Sequence, residues 1–383
     1  METTLDAFGG LTSVNAPATG RFNVGFQQGR WWLFTPEGNG FFSLALNHAE
    51  EADLKHPHNI DVWTERYGTR DRWREAVLQD MRTFGFNTLG WTQQWVAGDY
   101  EIDADWLNTI DLEHSAGWTS AELRGAGMPY VQTLRFAEFE NWNGNPQYPD
   151  VFSRDFEDYA THLARTTAAN HADDPNLIGY FFVDIPAWIP HASGRYFTRD
   201  GRHVSEGELA DIAARYYEVT TAAVRSFDDQ HLIMGDRYNG NKGIPDVVLE
   251  AAAPYLDVLS IQYFPGADEA AHRKMRDDLQ RWHDLTGKPI INADAGNSCA
   301  TALHPARWDS LADQSARGRN YEESLNALIS APWLIGWHWC GYVENPVRGW
   351  GIKSGLDEPY ADFAPVVTEV NTSIYDRLLS TRV

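Results

Sequence analysis

Several residue types and segments are scarce in this sequence. Lysine occurs only five times, and the two cysteines are Cys299 and Cys340. Two cysteines so placed form neither a disulfide framework nor a cysteine-based zinc motif. No apolar run approaches the roughly 20 residues that a membrane-spanning helix needs. The first residues, METTLDAFGG, lack the basic and apolar regions of a secretory signal. A cytoplasmic location is therefore expected, or a secreted one if a leader has been removed.

Positively charged residues are also few relative to negatively charged ones. Lysine and arginine together number 31 against 54 aspartates and glutamates, a formal net charge of −23. Such a chain repels the phosphates of nucleic acids and the headgroups of anionic membranes, so neither is an expected partner. Aromatic residues, by contrast, are plentiful, with 16 tryptophans. They indicate a large aromatic core, a sugar-binding cleft walled by rings, or both.

Eight short runs rich in β-branched and aromatic residues recur along the chain, with helical patterns between most of them. Such runs are typical of strands that are buried on both faces. The runs span 41–47, 86–91, 129–136, 177–184, 231–238, 256–264, 288–296 and 333–339, and the helical patterns span 70–85, 153–174, 205–227, 268–287 and 320–331. This alternation predicts an α/β fold, specifically a (β/α)8 TIM barrel.

The main rival is an open, doubly wound sheet, but no G-x-G-x-x-G turn follows the first run. The whole chain, 1–383, is therefore interpreted as one barrel domain. Its residues 1–40 form an N-terminal β extension. Within 22–42, two apolar runs flank Gly-containing turns, which predicts a hairpin that closes the bottom of the barrel or flanks its first strand.

Active sites of such barrels lie at the C-terminal ends of the strands. The predicted strand ends and the loops that follow them carry carboxylates, amides, a histidine and several indoles. Carboxylates suit acid–base chemistry, rings suit stacking on sugars, and forked polar groups suit sugar hydroxyls, so the predicted ligand is an oligosaccharide or polysaccharide. The candidate residues are Asn47, His48, Trp91, Glu138, Asp184, Trp188, Asp236, Arg237, Tyr263, Asp294, Trp337, His338 and Trp339.

One short motif is similar to that of a different class of enzyme. His56-Pro57-His58 is similar to the HxH of metal-dependent amidohydrolases. Those enzymes also take metal ligands from strands five and six, which here end in Asp236 and in Gln262-Tyr263 without a histidine. Neither a catalytic metal nor another cofactor is therefore expected.

Four stretches together resemble one known family, the agarase-type glycoside hydrolases of clan A. The stretches follow one another in the family's order and span nearly the whole barrel. They are GRWWLFTPEGNGFFSLALNH (29–48), LIGYFFVDIPAW (177–188), KPIINADAG (288–296) and LIGWHWCGYVENPVRGWGIKSGLDEPY (334–360). The resemblance implies a barrel that hydrolyses a galactose-containing or related polysaccharide.

The chain departs from the family pattern at both catalytic positions. The family's fourth strand typically reads G-Y-F-x-D-N-E-x-x-W, which places its general-acid glutamate on Ile185 and the preceding asparagine on Asp184. Its seventh strand, K-P-x-x-x-x-E-x-G, places the nucleophilic glutamate on Asp294. One carboxylate therefore remains at each strand end, but both are aspartates and Asp184 comes one residue early.

These residues lead to a hypothesis with two alternatives. A glycoside hydrolase would use Asp294 as nucleophile or base and Asp184 as acid. A glycosidase of altered mechanism or unusual linkage would use Asp236 or Glu138 instead. A catalytically inactive barrel would only bind carbohydrate, as the isoleucine at position 185 suggests.

Overall fold

The computed structural model describes residues 4–92, 117–137, 149–186, 188, 204–307, 309–345 and 349–380; the candidate Glu138 lies outside them. The strands are β1 Leu11–Asn15, β2 Asn23–Gln27, β3 Arg30–Phe34, β4 Asn39–Phe41, β5 Ser43–Asn47, β6 Thr88–Leu89, β7 Tyr130–Thr133, β8 Leu177–Asp184, β9 Leu232–Asn239, β10 Leu259–Gln262, β11 Ile290–Ala295 and β12 Leu334–Cys340. The helices are α1 Ile60–Arg66, α2 Arg70–Thr83, α3 Ser120–Gly125, α4 Arg154–Thr166, α5 Glu206–Arg225, α6 Asp246–Ala252, α7 Glu269–Thr286, α8 Gln314–Ile329, α9 Ala364–Thr372 and α10 Ile374–Ser380. None of these helices is both long and apolar enough to cross a bilayer.

Strands β5 to β12 form a closed barrel in chain order, with β12 pairing back onto β5. Every pairing around the barrel is parallel. Each of the eight predicted runs coincides with one barrel strand, although β9 and β12 extend one residue beyond their runs. The predicted (β/α)8 barrel is confirmed. The runs could be recognised because parallel barrel strands are covered by side chains inside and by helices outside, so their sequences are apolar throughout.

Local signals set most of the helix ends. Ser205 caps α5 and forms a reciprocal capping box with Glu208. Gly287, with a φ of 68°, ends α7 in the left-handed conformation. The helix predicted from residue 320 instead begins at Gln314, because the Asp313 side chain accepts a hydrogen bond from the backbone of Ala316 and caps it earlier.

The N-terminal residues form a four-stranded antiparallel sheet in the order β1-β4-β3-β2. Arg30 donates to the backbone oxygens of Ala331 and Leu334, at the start of β12. Apolar side chains of this segment, including Leu33 and Phe41, pack with Ile335 in the lower barrel interior. The sheet therefore closes the bottom of the barrel, as predicted for 22–42, and leaves the opposite end for the site.

Candidate active site

Polar side chains from five barrel strands meet at the C-terminal end of the barrel. Asn47, Asp184 and Gln262 are the last residues of β5, β8 and β10, and Arg237 and Asp294 lie near the ends of β9 and β11. Apolar side chains fill the barrel below them. All five are buried, Asp184 being 7% and Asp294 4% exposed. Buried charges are costly unless they are paired, so the pairing of this cluster determines its stability.

Arg237 lies at the centre of the cluster and contacts both aspartates. Its Nη1 donates to Asp184 Oδ1 at 2.6 Å, and its Nη2 lies 3.5 Å from Asp294 Oδ2. Nη2 also donates to the backbone oxygen of Ala293 at 2.9 Å. The guanidinium carbon lies 4.3 Å from the centre of the Trp91 ring, a cation–π contact. One fully buried cation thus links the carboxylates of two strands that are not neighbours in the barrel.

Each aspartate is also held by a side-chain amide. Gln262 Nε2 donates to Asp184 Oδ1 at 2.5 Å, so this oxygen accepts two hydrogen bonds. Asn47 Nδ2 donates to Asp294 Oδ1 at 2.7 Å, and Asn47 Oδ1 accepts from the backbone nitrogen of Trp91 at 2.8 Å. Amide donors on the ends of rigid strands fix the orientation of both carboxylates.

A glycine bulge directs Arg237 into the barrel. Met234 belongs to the barrel interior, and strict alternation along a strand would turn Arg237, three residues later, outward. Gly235 has a φ of 63°, and the pairing of β8 with β9 shifts register on either side of it. A Cβ atom at Gly235 would lie 2.5 Å from a Leu256 methyl group, so the bulge requires glycine. Because of it, Arg237 points inward and Asp236 outward.

Ile185, at the family's general-acid position, has an unusual backbone. Its φ is 42°, a left-handed conformation that is strained for a β-branched residue. Its backbone nitrogen donates to the oxygen of Arg237 at 3.0 Å, which extends the β8–β9 pairing by one residue. The chain therefore bends directly after Asp184.

Asp236 and Trp188 lie on the outer side of the barrel wall, against α5. Asp236 accepts hydrogen bonds from Trp188 Nε1 at 2.9 Å, from the Tyr217 hydroxyl at 2.7 Å and from the Tyr216 hydroxyl at 3.1 Å. Trp188 is 1% exposed and stacks on Tyr217. The structure does not bring Asp236 and Trp188 together with Arg237 and places them between strand and helix. Their expected contact with a sugar stays a prediction.

Burial gives Asp236 a measurable effect on the pH dependence of stability. It raises the pKa of Asp236 from 3.8 to about 6, against the hydrogen bonds that lower it. A carboxyl group whose pKa is higher in the folded state contributes stability at low pH and loses it as the pH rises through the folded pKa. Relative to Asp236→Asn, we expect the wild type to lose up to about 1.4 kcal/mol per pH unit between roughly pH 4 and 6.

Urea unfolding of both proteins across this range measures the difference. The pKa of His338 is lowered to about 3 by burial, helped by Arg237, so this histidine opposes the Asp236 effect. His338 is present in both proteins, so its contribution cancels when the two pH profiles of the free energy of unfolding are subtracted. Parallel profiles would contradict the prediction.

Trp337, Trp339 and Tyr263 also turn toward the helices. The two tryptophans are fully buried, and both pack edge-on against Tyr321 of α8. Residues two apart on a strand share a face, so both indoles take the outer one. The Tyr263 hydroxyl donates to Asp278 of α7 at 2.6 Å. In this structure the three rings therefore join barrel to helices, and their expected contact with a sugar stays a prediction.

We expect Trp339→Leu to destabilise the protein without touching the site. The substitution leaves a cavity beside Tyr321 and Phe363, which lies 5.6 Å from Trp339 between ring centres. The free energy of unfolding should fall by about 2–3 kcal/mol. Urea unfolding measures this change, and calorimetry with an oligosaccharide should show unchanged affinity in the folded variant. Weakened affinity at unchanged stability would restore the stacking role.

His338 points into the barrel, but below the site. It pairs in register with Ala45, whereas Cys340 pairs with Asn47 at the mouth. Its Nε2 lies 2.9 Å from the Ser43 hydroxyl, and the residue is fully buried. His338 therefore supports the layer beneath the site, and its expected contact with a sugar stays a prediction.

His48 and two residues without a predicted role complete the mouth of the barrel. His48 Nδ1 lies 3.3 Å from Glu50 Oε1, and the His48 ring packs edge-on against Trp91. One donor atom each from His48, Asp294 and Cys340 lie within 4.8 Å of one another. Glu50 and Cys340 gave no sequence signal, because neither belongs to a motif and their meaning depends on neighbours distant in the chain. Gln262 had been placed at a strand end without a role.

The comparisons with known proteins agree with the resemblance in the sequence. No family model matches the chain. The chain is similar to β-agarases. It is 22% identical to β-agarase A of Vibrio sp. (strain JT0107) over 452 residues, which covers 91% of this chain and 45% of that protein. It is 24% identical to β-agarase B of the same strain over 176 residues, 44% of this chain and 18% of that protein. The chain thus spans less than half the length of either relative.

Solved structures show the same fold. A crystal structure of an agarase superposes with a TM-score of 0.76 at 19% identity, covering 99% of this chain and 67% of that one. An exo-β-agarase superposes with a TM-score of 0.75 at 18% identity, covering 100% and 68%. A β-glucuronidase from an uncultured Clostridium sp. superposes with a TM-score of 0.58 at 14% identity, covering 92% and 53%. The barrel is therefore shared with glycosidases, most closely in shape with the agarases among these three.

Proposed function

We propose that this protein is a glycoside hydrolase that cleaves bonds in galactose-containing polysaccharides of the agarose type. The observation that carries the proposal is the meeting of Asp184 and Asp294 around Arg237 at the barrel mouth. Most glycoside hydrolases use a pair of carboxyl groups to hydrolyse the glycosidic bond. Similarity to β-agarases in sequence and in barrel shape supports the choice of substrate.

Asp294 acts in this proposal as nucleophile or base, and Asp184 as acid. Asp184 Oδ1 already accepts hydrogen bonds from Arg237 and Gln262, so a transferable proton would be on Oδ2. Asn47 Nδ2 donates to Asp294 Oδ1. In this proposal Asp294 Oδ2, which lies 3.5 Å from Arg237 Nη2, acts on the sugar or on a water. Arg237, beside both groups, balances the negative charge that two close carboxylates would otherwise concentrate.

The arrangement favours inversion at the anomeric carbon. Aspartate is one methylene shorter than the family's glutamate, and Asp184 stands one residue before the family's general-acid position. Both features tend to keep the carboxylates apart, and a spacing of about 6.5–9.5 Å leaves room for the attacking water of an inverting enzyme. We expect proton NMR during early turnover of an agarose oligosaccharide to show the first product with inverted anomeric configuration. A retained configuration would contradict this prediction.

The test of the function itself is turnover on a panel of red-algal oligosaccharides, with products followed by mass spectrometry. Activity on agarose-derived members, lost in a parallel preparation of Asp294→Asn, would support the proposal. The parallel preparation shows that the activity is not a contaminant. The absence of turnover on every galactose-containing member would overturn it.

A second candidate is a barrel that binds carbohydrate without cleaving it. Ile185 stands at the family's general-acid position, and both aspartates are occupied by one arginine. Calorimetry separates the two candidates. Binding of an oligosaccharide that stays intact over long incubation would favour the binding barrel, whereas products would favour the hydrolase.

A further inference from the structure

The mouth of the barrel contains a group of side chains with the composition of a metal site. His48, Asp294 and Cys340 each present one donor atom, all within 4.8 Å of one another, and all three residues are buried. We propose that these three residues bind a single Zn²⁺ ion. This inference goes beyond the proposed hydrolase function, although it shares Asp294 with it.

The donor set selects the metal. A nitrogen, a carboxylate oxygen and a thiolate sulfur suit Zn²⁺, whereas Mg²⁺ and Ca²⁺ prefer oxygen donors. Tetrahedral zinc with bonds of about 2.0–2.3 Å spaces its donor atoms roughly 3.3–3.8 Å apart. Side-chain adjustments of about an ångström therefore suffice to bring the three atoms into place. Three protein ligands leave the fourth position of zinc open for a water or a sugar hydroxyl.

The donors come from neighbouring elements of the barrel. Strand β12 pairs on one side with β11, which carries Asp294, and on the other with β5, which leads directly into His48. Cys340 is the last residue of β12 and pairs in register with Asn47. The backbone nitrogen of His48 donates to the oxygen of Trp91 at 2.9 Å, which fixes the turn after β5. Rigid strand ends hold the donors close before any metal arrives.

Neighbouring polar side chains orient two of the three proposed ligands, His48 and Asp294. Glu50 Oε1 lies 3.3 Å from Nδ1 of His48, which favours the tautomer with a proton on Nδ1 and a lone pair on Nε2. Carboxylate–histidine pairs of this kind commonly orient zinc ligands. Asn47 Nδ2 donates to Asp294 Oδ1. The metal would use the other oxygen of Asp294, which lies 3.5 Å from Arg237 Nη2. The proposed hydrolysis uses the same oxygen, so a metal-bound Asp294 would not act on a sugar at the same time.

The charge of the cluster is compatible with the ion. With both aspartates ionised, Asp184 and Asp294 leave one negative charge uncompensated by Arg237. A Zn²⁺ ion together with a Cys340 thiolate adds one net positive charge. This charge offsets the excess of the two aspartates and leaves the carboxylate of Glu50 as the remaining negative group beside His48. The nearby guanidinium therefore does not leave excess positive charge at the mouth, and metal binding couples to loss of the thiol proton.

Calorimetric titration of chelator-treated protein with Zn²⁺ tests the proposal. We expect one equivalent to bind, and Cys340→Ser to bind at least about 10-fold more weakly. Glu50→Gln, which removes the carboxylate beside His48 Nδ1 but none of the three donor atoms, should weaken binding by about 10–100-fold. Cys299→Ser is the matched control, because Cys299 is also a buried cysteine outside any disulfide but is not a member of the group. It should bind Zn²⁺ as the wild type does.

Absorption spectroscopy with Co²⁺ tests thiolate binding in the wild-type protein itself, so the result does not depend on whether Cys340→Ser folds. Co²⁺ bound by a thiolate has a characteristic charge-transfer absorption, which we expect in the wild type and in Cys299→Ser. Lack of stoichiometric Zn²⁺ binding, absence of the thiolate–Co²⁺ band, or equal binding by folded Cys340→Ser would each overturn the proposal. No sugar is present in these measurements, so a failure to hydrolyse polysaccharides would leave the metal result intact, and the reverse also holds.

Discussion

Replacing Asp294 with asparagine is expected to lower kcat on an agarose oligosaccharide by about 10²–10⁴-fold. Asparagine keeps the shape of the side chain and can still present an oxygen to Asn47, but it can neither attack the sugar nor accept a proton from water. Asp184→Asn should cause a loss of the same order, because it removes the proton of the acid. Initial rates at saturating substrate measure both effects, and circular dichroism checks that the variants fold.

Asp229→Asn is the matched control for these two variants, since Asp229 is exposed in the turn before β9. It should leave the rate unchanged. If Asp184→Asn and Asp294→Asn both turned over at the wild-type rate, the assigned pair would be wrong. The structure turns Asp236 toward α5, so Glu138 would then be the first carboxylate to test.

Replacing Arg237 with methionine is expected to lower the free energy of unfolding by about 3–5 kcal/mol. Methionine has a similar length but no charge, so Asp184 and Asp294 would remain buried without their shared cation. The loss should be smaller at low pH, where a carboxyl group can bind a proton instead. Urea unfolding at several pH values measures the effect.

The double variant Arg237→Met/Asp184→Asn separates loss of charge pairing from loss of packing. Removing one uncompensated carboxylate should recover part of the stability, so the two changes should not be additive. Arg237→Lys is the conservative comparison: it keeps the charge but cannot reach both carboxylates with a planar fork. If Arg237→Met were as stable as the wild type at neutral pH, the guanidinium would not be what holds the cluster together.

The sequence alone determined the fold and the end of the barrel at which the site lies. Parallel barrel strands are apolar on both sides, which made all eight runs visible. Turn residues predicted the N-terminal hairpin, but left open whether it closes the bottom of the barrel or flanks its first strand. Asn47, Asp184, Arg237 and Asp294 were predicted from their places at strand ends, where a closed barrel must gather them. These features are local, because each depends on a residue's position within its own strand.

Only the tertiary structure decided which way each side chain points. In a strand that is apolar on both faces, the sequence pattern does not distinguish the barrel interior from the helix side, so Trp337 and Trp339 looked like site residues although they pack on α8. The bulge at Gly235 reverses the expected directions of Asp236 and Arg237. The roles of Gln262 and Cys340 depend on partners more than 40 residues away along the chain, Asp184 and His48 among them. Such contacts arise from closure of the barrel, which no short stretch of sequence encodes.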